Sequence, residues 1–258
     1  MAFHHGQVCI AALFSASMLA GPLMAAEYLA IPGGSFTSVL SNGASNTPVT
    51  VSAFQMRVTP VSNAEFSSFI ATYPEWQRAR IARTFADDSY LSNLPSDAAD
   101  GGALPVTSVS WFAAQAFCET EGGRLPTWYE WEYVAAADST HADARRDPAW
   151  RARILKWYSK SASGLPDAIG GAPNFYGLRN MHGLIWEWVD DFNALLVSSD
   201  SRTQNDPEQL KFCGAGAISL QDKENYAVLM RVALLSSLGA ADTTTSLGFR
   251  CVRTKDPL

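Results

Sequence analysis

Met181-His182-Gly183-Leu184-Ile185-Trp186-Glu187-Trp188-Val189 is the stretch on which the reading of this chain turns. Ile185 to Val189 is a dense aromatic strand or turn. The residues before it, Gly164 to Gly183, hold five Gly and two Pro in twenty positions, a density that predicts irregular backbone. Asp190 and Asp191 follow it, adjacent acids expected to face solvent at the strand's end.

Outward from that centre the elements are short. Thr127-Trp128-Tyr129-Glu130 is a capping box that opens a helix through Ala137, and a helix begins after Ser110, turning Trp111, Ala114 and Cys118 to one face and stopping at Gly122-Gly123. Ser62-Asn63-Ala64-Glu65 is a second capping box. Phe66, Phe69, Ile70 and Tyr73 follow it at helical spacing until Pro74. Trp150 to Tyr158 reads as a short helix. Ile31 to Phe36 is a strand broken by a turn, and Pro48 to Met56 alternates as a half-buried strand does. Residues 84–105, with Asp87, Asp88, Asp97 and Asp100, read as a long surface loop, either simply solvated or an acidic calcium loop. Tyr226 to Leu235 and Gly248 to Arg253 are apolar enough to supply the last core strands. No repeat of 20 to 50 residues and no long Pro/Ser linker divides the chain, so one domain is expected.

Of the 258 residues 47% are hydrophobic and 17% charged, enough apolar material for a core and too little charge for a disordered chain. A net charge of -6 argues against nucleic acid, whose phosphates are held by Lys and Arg. Val8 to Ala20 is almost wholly apolar, and Met24-Ala25-Ala26 supplies small residues before Glu27. Residues 1–26 therefore read as a signal peptide, residues 27–258 as the mature domain, and the location as periplasmic or secreted. The apolar run falls short of the ~20 residues that span a bilayer, so no stable membrane span is expected after cleavage. Loss of Cys9 with the leader leaves Cys118, Cys213 and Cys251, which allow at most one disulfide within the chain.

Seven segments, in this order, resemble the formylglycine-generating enzyme, or sulfatase-modifying factor, family. They are Ile31-Pro-Gly-Gly-Ser-Phe36, Val58-Thr-Pro-Val-Ser-Asn63, Pro105-Val-Thr-Ser-Val-Ser-Trp111, Gly123-Arg-Leu-Pro-Thr127, Glu130-Trp-Glu-Tyr133, Gly183-Leu-Ile-Trp-Glu-Trp188 and Leu247-Gly-Phe-Arg-Cys251. The resemblance implies an α+β fold related to C-type lectins and low in regular secondary structure. It also implies a Cys118–Cys251 disulfide, a protein or peptide-like substrate, and activities that range from copper-dependent oxidation to non-haem iron chemistry. The tail further resembles a subgroup that occurs alongside copper nitrite reductases in denitrifying bacteria.

The chain departs from that pattern where the chemistry lies. The oxidase branch holds copper through two nearby cysteines, but here Phe212-Cys213-Gly-Ala-Gly-Ala217 stands at the Arg-Gly-Gly-Ser position and no cysteine lies between Ser219 and Arg231. Soft Cu(I) is bound far better by two thiolates than by one, so copper is left open only through Cys213. A three-histidine iron site is excluded by count, because the mature chain has only His141, in a polar run, and His182. His182 is open to a hydrogen-bonded structural role or a catalytic one. Leu184 replaces the asparagine that would offer calcium an oxygen. Cys213 is either buried and inert or reactive. In the second case Arg231 resembles the family's pocket arginine for an anionic group, and Ser236 matches a pocket serine. Cys213, Arg231 and Ser236 are then the candidate pocket. The expected role is protein or cofactor maturation, as an oxidoreductase if the chain is an enzyme, with a non-catalytic binding or chaperone module on the same scaffold as the alternative. The residues set no oligomeric state.

Overall fold

The computed structural model describes residues 26–40, 48–96, 101–158, 166–195 and 226–254. Strands β1 (Tyr28–Ile31) and β2 (Gly34–Phe36) leave the N-terminal side, and β3 (Val49–Val51) and β4 (Phe54–Arg57) follow. β5 is Trp186–Glu187, β6 Leu247–Gly248 and β7 Val252–Thr254. The main sheet is antiparallel in the order β1-β4-β7, with Met56 opposite both Leu29 and Val252. β2 pairs antiparallel with β3, and β5 pairs parallel with β6. Helices α1 (Asn63–Thr72), α2 (Trp111–Thr120), α3 (Trp128–Ala135), α4 (Pro148–Tyr158) and α5 (Tyr226–Ser236) complete an α+β fold with much irregular backbone.

Local chemistry explains the helix starts. The Ser62 hydroxyl accepts from the Glu65 N–H at 3.3 Å while the Glu65 carboxylate accepts from the Ser62 N–H at 2.8 Å. Thr127 and Glu130 repeat the exchange at 3.2 and 2.8 Å, and Ser110 caps α2 through the Ala113 N–H. Each box satisfies amides that have no partner inside the helix. At the end of α2, Gly122 takes φ +71° and the Gly123 N–H returns to the Cys118 carbonyl at 2.9 Å, a reversal that glycine makes without the strain of a side chain.

The core gathers where these elements meet. Phe66 and Phe69 of α1, Phe117 of α2 and Phe249 of the tail form a ring cluster with centroids 5.3 to 6.0 Å apart. Cys118 and Cys251 lie beside it, fully buried and joined as a disulfide with Cα atoms 5.4 Å apart. At Gly248 a Cβ would stand 2.2 Å from the Val106 carbonyl oxygen, so only glycine lets the tail pass that segment.

Three expectations need correction. Tyr226 to Leu235 is a helix, α5, and not a core strand: a continuous apolar run of that length does not declare its period, and its Ala, Leu and Met favour helix. The described part of residues 84–105, 84–96 and 101–105, is mostly turns, as expected of a loop, but not merely surface. Ala86, Tyr90 and Leu91 are buried, and the Tyr90 hydroxyl donates to the Trp76 carbonyl at 3.0 Å. The Asp87 carboxylate is spent on the Thr243 N–H and hydroxyl, at 3.0 and 2.7 Å, and Asp88 pairs with Arg83; Asp97 and Asp100 lie outside the described residues. Finally, Trp111 is only half-buried, its indole N–H donating to the Val189 carbonyl at 3.0 Å, and Tyr73 is exposed. Among the described residues no helix is long and apolar enough to cross a membrane.

The disulfide closes a loop across 133 positions of sequence. Chain-entropy arguments give such a closure about 4 to 5 kcal/mol. Cys118→Ala with Cys251→Ala is therefore expected to lower the unfolding free energy by about that amount in urea titrations. A loss under about 1 kcal/mol would show that the link constrains the unfolded chain little.

Candidate functional site

β5 is two residues long, yet it places three side chains with different fates. Its backbone is fixed by the Trp186 N–H on the Ser246 carbonyl at 2.8 Å and the Trp188 N–H on the Gly248 carbonyl at 2.9 Å. Trp188 is buried, with its indole N–H on the Val109 carbonyl at 2.9 Å, whereas Trp186 is half-buried. Glu187 is fully buried.

The Glu187 carboxylate is answered completely. Arg250 approaches it through Nε at 2.9 Å and Nη2 at 2.8 Å, and the Trp131 indole N–H donates to Oε2 at 2.8 Å. The remaining Arg250 hydrogens go to the carbonyls of Arg57 and Val58, both at 3.3 Å, and of Arg179 at 2.9 Å. A buried pair repays its desolvation only with this degree of hydrogen bonding.

Arg231 of α5 shares the depth but not the partners. It is 1% exposed, its guanidinium carbon stands 3.6 Å over the Trp131 ring, and Nη2 donates to the Glu187 backbone carbonyl. Its Nε is buried without a hydrogen-bond partner. Burial lowers its pKa to about 10.

His182 lies against the same indole, edge-on to Trp131 at 5.6 Å and to Trp150 at 5.7 Å. Its Nε2 sits 2.8 Å from the Ala135 carbonyl, which can only accept, so that nitrogen carries the proton. Nδ1 is then a lone pair, shut off from solvent and without a partner. Burial pushes the His182 pKa down to about 4. Above this corner, half-buried Trp157, Tyr158 and Trp186 pack at centroid distances of 4.5 to 5.6 Å, and burial raises the Tyr158 phenol.

Of the candidate pocket, Arg231 stands in this corner. Ser236 closes α5 and turns its hydroxyl back onto the Val232 carbonyl of its own helix, and five residues on from Arg231 it occupies a different helical face. Cys213 lies outside the described residues. His141 is exposed and held by Asp138 at 3.1 Å. Asp191 departs from expectation: it is half-buried, and its carboxylate accepts from the Trp128 N–H at 2.7 Å at the start of α3, where a negative charge is favoured. No group of three His, Cys, Asp or Glu side chains that could hold a metal occurs among the described residues. Sequence reasoning passed over Glu187, Arg250 and Trp131. The available signal was a carboxylate set between two tryptophans, because a buried charge needs a designed partner.

The family model of the sulfatase-modifying factor enzyme 1-like domain matches residues 16–255. The chain belongs to that family. Among its sulfatase-modifying factor relatives, the formylglycine-generating enzyme of Mycobacterium tuberculosis is 27% identical, over 89% of this chain and 98% of its own length. That of Mus musculus is also 27% identical, over 89% and 76%. The hercynine oxygenase of Mycobacterium tuberculosis is 29% identical over 55% of this chain and 38% of its own. Among solved structures, CarF superposes with a TM-score of 0.52 at 16% identity, over 90% of this chain and 99% of that one, and shares the fold.

The donor set does not fit the family's two-thiolate copper site. Cys118 and Cys251 are bonded to each other, and the other two cysteines, Cys9 and Cys213, lie outside the described residues. The two histidines among the described residues do not converge either, since His141 is tied to Asp138 at the surface and His182 is set among Trp131 and Trp150.

Two substitutions test the corner. Glu187→Gln removes the countercharge of Arg250, and a loss of about 3 to 5 kcal/mol in chemical denaturation is expected. His182 holds its proton less well folded than unfolded, so its stabilising contribution is complete above about pH 6.5 and is lost as pH falls toward about 4. That loss amounts to about 3 kcal/mol. His182→Gln keeps the donor to Ala135 and is expected to flatten this part of the stability profile. A profile that superposes on that of the native protein would remove His182 as its source.

Proposed function

We propose that this chain is an exported, periplasmic or secreted member of the sulfatase-modifying factor family that acts in protein or cofactor maturation. It engages a protein or peptide-like substrate at the corner between α3, α4, α5 and β5. Arg231 receives an anionic group of that substrate, and the Cys213 thiol is the group through which oxidoreductase chemistry would run. The observation that carries this reading is Arg231 itself. A buried guanidinium lies flat on Trp131 beside a carboxylate already claimed by Arg250, with Nε unspent. Such a charge is costly to keep in the core unless an anion answers it. Relatives that include formylglycine-generating enzymes and an oxygenase support the oxidoreductase arm.

A second reading, a binding or chaperone module without catalysis, rests on the same arginine, because an anion site of this kind needs no metal.

Cu(I) affinity separates the two. Competition against a chromogenic chelator, on reduced mature protein, is expected to show one equivalent of Cu(I) held by the native chain and lost in Cys213→Ser. Equal, weak binding in both proteins would remove chemistry through a Cys213–copper centre and leave the binding module standing.

A further inference from the structure

Four buried side-chain polar atoms among the described residues have no hydrogen-bond partner: Thr244 Oγ1, Arg253 Nε and two on residues that share one indole, Trp131. Arg231 Nε is a donor and His182 Nδ1 is an acceptor. Buried polar atoms in folded proteins are paired with few exceptions, and an exception calls for a ligand, a water or a function. The two beside Trp131 are complementary as written, yet an anion brought to Arg231 would meet the His182 lone pair as a repulsive neighbour. Protonation converts that lone pair into a second donor. The tautomer leaves no other way, since Nε2 is committed to the Ala135 carbonyl.

We propose that Arg231 and His182 form a proton-linked site for a compact oxyanion, a carboxylate or sulfate-like group, which binds beneath Tyr158 and Trp186 together with one proton at His182 Nδ1. The inference rests on the reading of Arg231 as the group that receives the substrate's anion, and it adds His182 as the second donor and a pH at which the site fills.

The surroundings set the sign. His182 faces Trp131 and the Ala135 carbonyl of α3, Trp150 of α4, Glu187 of β5, Arg231 of α5, and Arg250. Arg231 and Arg250 oppose an imidazolium. Glu187 favours one, but its carboxylate is already engaged by Arg250 and Trp131. With burial added, His182 is neutral without a ligand. An anion between the guanidinium and the ring reverses the local field, so the proton and the anion each favour the other's binding, by equal amounts. Tyr158 and Trp186, half-buried and packed on each other, are partly exposed side chains of this corner, and the anion would enter past them.

Sulfate is the probe, because its charge does not change between pH 5.5 and 7.5. Calorimetric titration of the native mature chain at constant ionic strength is expected to show sulfate binding about tenfold tighter at pH 5.5 than at pH 7.5. The heat should vary with the ionisation enthalpy of the buffer as uptake of a proton requires, a readout that needs no variant. His182→Gln should bind sulfate with one affinity at both pH values, and Arg231→Gln should bind it weakly at both. Absence of sulfate binding at pH 5.5, or the same pH dependence in His182→Gln, would overturn the proposal. The titration contains no copper, so a failed Cu(I) result with sulfate binding retained would strike the Cys213 chemistry and leave this site intact.

Discussion

An ionised glutamate at the centre of a protein is tolerable only if the chain brings it a full set of donors, and Glu187 dictates much of what surrounds it. Arg250 must come from the far end of the chain, with β6 alongside β5 to carry it there. Trp131 must come from α3 with its indole N–H turned inward. Arg250 in turn demands carbonyls, and it finds them at Arg57, the last residue of β4, and at Val58 and Arg179 on the irregular backbone beyond the strand. A fold so poor in regular structure needs such a centre. Here a five-donor guanidinium replaces the ladder of backbone hydrogen bonds that a larger sheet would supply.

The same core holds a second guanidinium under different terms. Arg250 makes the fold specific, because each of its hydrogens names one acceptor. Among the described residues Arg231 contributes stacking on Trp131 and one bond to a backbone oxygen, and the Glu187 carboxylate beside it is engaged by Arg250 and Trp131. Evolution commonly leaves imperfect pairing where a site has work to do, and the cost is borne by well-satisfied neighbours. The contrast between two arginines of equal burial is what marks this corner as more than packing.

Much of the scaffold was legible in the chain. Ser62 with Glu65 and Thr127 with Glu130 announce their helices because a capping box depends on residues three apart, which a sequence displays directly. Seven family segments, among them Gly123-Arg-Leu-Pro-Thr127 and Leu247-Gly-Phe-Arg-Cys251, give the fold. Tyr226 to Leu235 misled because a run apolar at every position but Arg231 carries no clear period, and only its packing against α4 and the core decides between helix and strand. The site was half legible. Arg231 could be counted back from the tail, but its lack of a partner could not, since a partner is a matter of three dimensions. Ser236 matched by register and still fell on another face of α5, because register along a chain does not preserve direction around a helix.

Residues 247–254 finish the main sheet as β7, pair with β5, close the disulfide and deliver Arg250. All of this is done by the part of the described chain that is synthesised last. A chain emerging from a narrow conduit can therefore form its capped helices early, but it cannot close its centre until its last strand is through. Until that moment Glu187 carries an unanswered charge and the phenylalanine cluster lacks Phe249. The fold is in effect latched from its tail. A chain interrupted before Leu247 would lose the middle of the molecule and not merely its edge.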